Sequence, residues 1–358
     1  MADKSGSAVN CRLGKVGGQA VMEGVMMKCG NRIALAVRRP DTKKINVRTK
    51  TVCSVKEKNA FLRLPVIRGI VSFAETLILS MGTLTESTEM LGIDEAEPET
   101  KFDKWVTEKL GDKMMKVISA ISMVLGVALA LVLFVWLPSL ISNLIFRIES
   151  SQFSFASRCI DGGIKVLLFI AYIWLTSLIP DIKRVYMYHG AEHKSIACYE
   201  SGKELTVENV RGCTRFHPRC GTSFMFLILL ISIIVNSFIL WGVNAVFPTA
   251  PVGERWFIVL VKLIALPIVV GVGYEYVMYA GKHSNPFTRI FSAPGLWMQR
   301  ITTREPDDDM IEVGICSVKS ALHDEFPDYE IPADDSKAVG NTGKEEPAAD
   351  TAAGENGV

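Results

Sequence analysis

Two histidines four residues apart flank a glutamate in the run His189-Gly190-Ala191-Glu192-His193. On a helix that spacing puts both imidazoles on one face, one turn apart, where they can grip a single cation. Glu192 between them would orient a water held by the ion or take its proton. Twenty-four residues after His193 comes His217-Pro218-Arg219-Cys220-Gly221, a second ligand pair. Its two-residue gap and trailing glycine have the form of a zinc knuckle with histidine in the first position, a spacing that turns both side chains toward one ion. The expected cofactor is therefore a divalent metal, zinc by its donor chemistry, with His189, His193, His217 and Cys220 as metal ligands.

Each piece alone also has an ordinary reading. A surface helix carries two solvated histidines easily, and Pro218 and Gly221 can serve only a tight turn. What joins them is position, since both segments fall at the same ends of adjacent apolar spans. Four ligands would close a tetrahedron and make the ion structural, leaving Glu192 to orient it; if Cys220 stays off the ion, His189, His193 and His217 hold it with room for water and Glu192 as general base. A second odd stretch, Gly17 to Gly24, lacks the lysine of a phosphate loop and the context of a dinucleotide fingerprint. Its Gln19 and Glu23 are candidates for polar groups presented to the same site, with Glu23 as a second catalytic carboxylate. Glu275, near the end of the last span, is either a further ligand or an interface residue.

Those spans define the class. Hydrophobic residues make up 49% of 358, and they are concentrated in runs long enough to cross roughly 30 Å of hydrocarbon. Four are expected: Val117–Leu137 with apolar character continuing to Phe146, Gly162–Ile179, Phe224–Phe247 and Trp256–Val277. The fold class is a mainly α, polytopic helical membrane protein. Lys183, Arg184, Lys194, Lys203, Arg211, Arg215 and Arg219 crowd the connection between the second and third spans, while the other connections hold few cations. The positive-inside rule then puts that loop and both termini in the cytosol, at the inner membrane of a bacterium. The lipid bilayer is the expected partner, and no nucleic acid. Asn236, Asn244 and Lys262 are too sparse to line a transport path. No cleaved secretory signal is seen, and eight cysteines without a CxxC pair suit a reducing compartment.

Outside the spans, Arg32–Thr51 alternates as a β-hairpin around Pro40-Asp41-Thr42-Lys43, and Ala20–Met27 would add a third strand. Leu64–Leu91 has an apolar stripe (Ile67, Ile70, Ala74, Leu77, Met81, Leu84) opposite Arg68, Glu75, Glu86 and Glu89, fit for an interfacial helix or one packed under the bundle. The divisions expected are a cytosolic β segment over 1–60, an amphipathic helical region over 61–116, a membrane domain over 117–280 with the metal-site loop at 181–222, a membrane-surface helical segment over 281–322, and a disordered acidic tail over 323–358.

Gly17 to Met27, His189 to Lys194, Asn209 to Arg211 followed by His217 to Ser223, and Pro294 to Pro306 closely resemble the YqhQ-like bacterial membrane proteins. The resemblance spans about Gly17 to Leu322. It implies membership of an uncharacterised group described as predicted metal-dependent enzymes, with Glu23, His189, Glu192, His193, His217 and Cys220 at the shared motif positions and no implied substrate. The expected function is a metal-dependent hydrolase at the cytosolic membrane surface. The alternative is a non-catalytic scaffold or binding protein whose ion is structural.

Overall fold

The computed structural model describes residues 12–57, 59–91, 121–146 apart from 122, 123 and 127, 155–247, 249, 254–280 and 285–335. Four strands come first: β1 (Val16–Val21), β2 (Gly24–Cys29), β3 (Arg32–Arg38) and β4 (Ile45–Thr51), an antiparallel meander in chain order. The alternation of Arg32–Thr51 becomes the β3–β4 hairpin, with Arg32 opposite Thr51. The single strand expected over Ala20–Met27 is instead two strands folded back, with Val21 opposite Gly24. Met22 and Glu23 form the turn, and Glu23 takes a positive φ of 50° to make it.

The pleat sends alternate residues to two faces. Val21, Met26, Ile33, Leu35 and Val37 meet Met90 and Leu91 of α1 (Ile67–Leu91). Lys50–Glu86 and Arg48–Glu89 ion pairs tie the same helix to β4. Val16, Val25, Met27, Ala34, Ala36 and Val47 face the larger core.

A π-type turn over Val132–Trp136 leads into α2 (Leu137–Phe146), so the helix runs straight over Pro138. Of the first expected span, positions 117–120, 122, 123 and 127 lie outside the described residues; the described remainder is helical and continues to Phe146, as expected. Next come α3 (Phe155–Thr176) and α4 (Pro180–Glu200), bent by 99° where one gives way to the other. The cause is local: Ile179, preceding a proline, is extended (φ −69°, ψ 127°), and Pro180 opens a new helix. The short α5 (Val207–Arg211) follows, then α6 (Gly221–Val246) and α7 (Arg255–Ala280), which match the third and fourth expected spans. Their mean hydropathy reaches 2.6 and 2.4. Among the described residues α1, α6 and α7 are long and apolar enough to cross a bilayer, and Gly162–Thr176 with α4 makes a fourth candidate if the bent pair counts as one.

Beyond the spans the expected surface segment is two different things. The helix α8 (Pro286–Thr302) does expose Phe287, Ile290, Phe291 and Trp297. By contrast α9 (Asp308–Ala321) is buried, with Ile311, Val313 and Val318 fully enclosed between the sheet and α4. Apolar residues on both sides of this helix bury it from two directions. The chain also stays packed past residue 322. Phe326, Tyr329 and Ile331 join the larger core, and Asp334 pairs with Arg48 at 2.8 Å. Residues 336–358, the rest of the expected tail, lie outside the described residues.

Candidate metal centre

Pro180 and Asp181 start α4 and Gly202, at φ 74°, follows its end. From Tyr188 to Glu200 nearly every residue is buried, polar ones included. Two glycines explain how neighbours come so close. A Cβ on Gly190 would fall 2.0 Å from the Arg304 carbonyl oxygen. The chain after α8 crosses α4 there, and the Arg304 amide donates to the Tyr186 carbonyl at 2.8 Å. A Cβ on Gly18 would lie 2.8 Å from Cγ of Glu192, so β1 is laid directly over that carboxylate.

The crossing at Gly190 sets the first ligand. It brings the Thr302 carbonyl to 2.8 Å from His189 Nδ1, and the Arg215 carbonyl lies 2.6 Å from His193 Nδ1. A carbonyl only accepts, so each Nδ1 carries a proton, which leaves Nε2 as the atom either ring would turn to a metal. Cys220 closes the group as the residue capping the N-terminus of α6. One ligand atom each from His189, His193 and Cys220 lies within 4.8 Å of the others. The sulfur is 3.2 Å from His189 Nε2 and 3.1 Å from Thr222 Oγ1. Burial opposes charge on the Cys220 sulfur, but His189 and His193 beside it win and hold the thiol well below its ordinary pKa. Burial likewise opposes charge on His189, and the Cys220 thiolate raises its pKa to about 9. The thiolate is the form of cysteine that binds metal.

Glu192 lies against this group, its carboxylate 3.9 Å from His189 Nε2. It is almost fully enclosed, and burial raises its pKa despite His193 and His189. His217 stands apart from the three ligands. Its ring centroid is 5.6 Å from that of His193, but its Nε2 faces Glu200 at 3.5 Å. Burial pushes the Glu200 pKa up, and contacts from His217, the Gly14 amide and Arg219 more than reverse it.

Gln299, buried on α8, accepts from the His217 amide at 2.8 Å and donates to the His217 carbonyl and Ser223 Oγ, both at 2.7 Å. It clamps the His217–Cys220 loop onto α8. Neither Gln299 nor Glu200 stands out from spacing. Both are single polar residues in unremarkable runs, and only the hint that Pro294–Pro306 was distinctive pointed at the first.

The remaining candidates sit elsewhere. Arg184 grips the Glu23 carboxylate with two hydrogen bonds of 2.5 Å, and Tyr188 donates to it at 3.2 Å. Glu23 thus pins the β1–β2 turn to α4 rather than facing the ligands. Gln19 follows Gly18, so the pleat directs it to the α1 face, away from Glu192. Glu275 accepts from Arg68 and from the Val66 amide, and joins α7 to α1. Glu23→Gln is expected to cost at most about 1 kcal/mol, as a partly exposed pair does, and to leave metal content unchanged. Metal analysis beside a thermal melt checks this.

Known proteins bear on the chain in two ways. A family model described as "Protein of unknown function (DUF1385)" matches residues 64–324. An "Uncharacterized protein YqhQ" of Bacillus subtilis (strain 168) is 34% identical over 310 residues, covering 86% of this chain and 92% of the relative. No solved structure matches. The chain therefore belongs to the DUF1385 family of YqhQ-like proteins, whose function is uncharacterised.

Proposed function

We propose that this protein is a metal-dependent hydrolase working at the cytosolic face of a bacterial inner membrane. The observation carrying the proposal is a His189–His193–Cys220 group whose two Nδ1 atoms are both committed to carbonyls, with a buried carboxylate alongside. Two nitrogens and a thiolate suit zinc far better than magnesium or calcium. Three protein ligands leave one position for a reactant. A divalent ion held there would polarise the scissile bond and the attacking water. Glu192 would take the proton from that water and return it to the leaving group, a task suited to a carboxylate whose pKa burial raises. His217, held by Glu200, lines the group from the far side of His193.

The cation-rich connection carrying α4 and α5 supports a cytosolic position for the centre. Ion pairs from Glu86 and Glu89 to β4 support α1 lying along the membrane surface with Leu77, Ile78 and Met81 toward lipid, rather than crossing it.

One observation favours a second reading, a structural ion. His189, Glu192, His193 and Cys220 are each less than 9% exposed. In that reading His217 leaves Glu200 and completes a closed tetrahedron. The test is to purify the full chain in detergent, count metal, and follow hydrolysis of p-nitrophenyl esters and phosphates. Glu192→Gln should keep one ion per chain and lose at least about a hundredfold in turnover. Cys220→Ser should lose the ion. Wild-type turnover in Glu192→Gln would leave only the structural reading, and metal-free wild type would end both.

A further inference from the structure

Next to the ligand thiol a groove runs down the flank of the spans, between α6, α7 and α8. Pro218, Ser223, Leu227 and Leu230 form one wall, with Tyr276, Ala280 and Phe291 among the residues opposite. Cys220 precedes Ser223, Leu227 and Leu230 by three, seven and ten positions, which is one helical stripe about 15 Å long. The groove therefore starts within about one turn of Cys220, the residue that caps α6.

Its lining offers carbon. Ser223 Oγ donates to the Gly295 carbonyl at 3.0 Å and accepts from Gln299 at 2.7 Å. Tyr276 OH turns to the Thr288 carbonyl at 3.3 Å and to Ser292 Oγ at 3.4 Å. Among the described residues each lining hydroxyl already has a hydrogen-bond partner in the protein, whereas a peptide backbone would bring buried amides that need partners of their own. Size points the same way. The groove offers at most about 380 Å³, counted out into open surroundings, too little for a helix 10–12 Å across. A single hydrocarbon chain fits, and α6 and α7 hold the groove where such chains are the solvent. On α8, Arg289 and Arg300 are exposed beside it, placed to meet an anionic head.

We propose that the groove takes the acyl or isoprenoid chain of an anionic membrane lipid, so that the substrate is lipid-linked and its head is delivered to the centre. This rests on the hydrolase reading for what happens next, but chain binding does not.

The experiment uses the full-length protein in nanodiscs of phosphatidylethanolamine and phosphatidylglycerol, with phosphatidylglycerol carrying a mid-chain diazirine as probe. Crosslinks are mapped by mass spectrometry, and metal is counted on the same sample. Labelling at Phe224, Leu227, Leu230 and Tyr276 should exceed that at Met225 and Val272, which lie outside the groove and are more exposed, by about tenfold. Ala280→Trp, which fills the groove, should cut that labelling about tenfold and leave metal content intact. Equal labelling inside and outside, or labelling indifferent to Ala280→Trp, overturns the proposal. So does displacement of the probe by a single-span apolar peptide. A labelled groove without metal would sink the hydrolase reading alone; metal without a labelled groove would sink only this one.

Discussion

His193→Ala is expected to release the ion and lower the melting temperature by about 10–28 °C in metal-supplemented buffer. At a thousandfold excess over Kd a native-state ligand contributes about 4 kcal/mol, and domains of 150–250 residues shift by about 2–4 °C per kcal/mol. The side chain is 1% exposed and bonded to the Arg215 carbonyl, so its loss also leaves a buried acceptor unpaired, at a further cost of about 1–3 kcal/mol. Chelation separates the two contributions. Stripping metal from the wild type should reproduce the larger part of the loss, whereas the variant should melt identically with and without chelator. A wild type indifferent to chelation, with no metal found by mass spectrometry, would remove the centre from this account.

Gly190→Ala should be nearly as damaging although it adds one methyl group. Its Cβ would sit 2.0 Å from a backbone oxygen, which cannot rotate away as a side chain can. Overpacking of this kind costs about 1–3 kcal/mol, and more where backbone must move; at least about 3 kcal/mol is expected here. The crossing strand also carries the Thr302 carbonyl that holds His189, so metal affinity should fall with stability. Gly221→Ala supplies the control, because a Cβ there meets nothing within 4 Å. Urea midpoints and metal content on both variants decide the matter. If the two are equally stable, the crossing at Gly190 is not as close as described.

How much of this was legible in advance follows from what kind of atom does each job. Side chains that the structure brings together were readable as one group: the identity and spacing of His189, Glu192, His193 and Cys220 pointed to a shared site. The acceptors that orient the imidazoles are the carbonyls of Thr302 and Arg215, and a backbone oxygen looks the same in every residue. Nothing in the string could distinguish them. His217 was readable as a ligand type but not as a neighbour of Glu200, because their pairing depends on where the loop lands. Glycines were legible in part: Gly190 suggested a close approach without naming Arg304. The helix α8 was legible from its one apolar face, and the burial of α9 was missed because Gly314, Ser317 and Ser320, which pack inside, carry no apolar signal. The tail was placed too early since its acidic composition hid three anchors, Phe326, Tyr329 and Ile331.

The carbonyl at Thr302 also sets a schedule. Chains are made and begin to fold from the N-terminus, and the three ligand residues emerge by position 220, whereas the atom fixing the first imidazole waits for another 82 residues. A nascent chain halted after α7 would own every donor atom and still lack the geometry to keep a cation. Under the proposed function, loading would belong to the end of biosynthesis, once α8 has followed α7, and unfinished copies would stay unarmed.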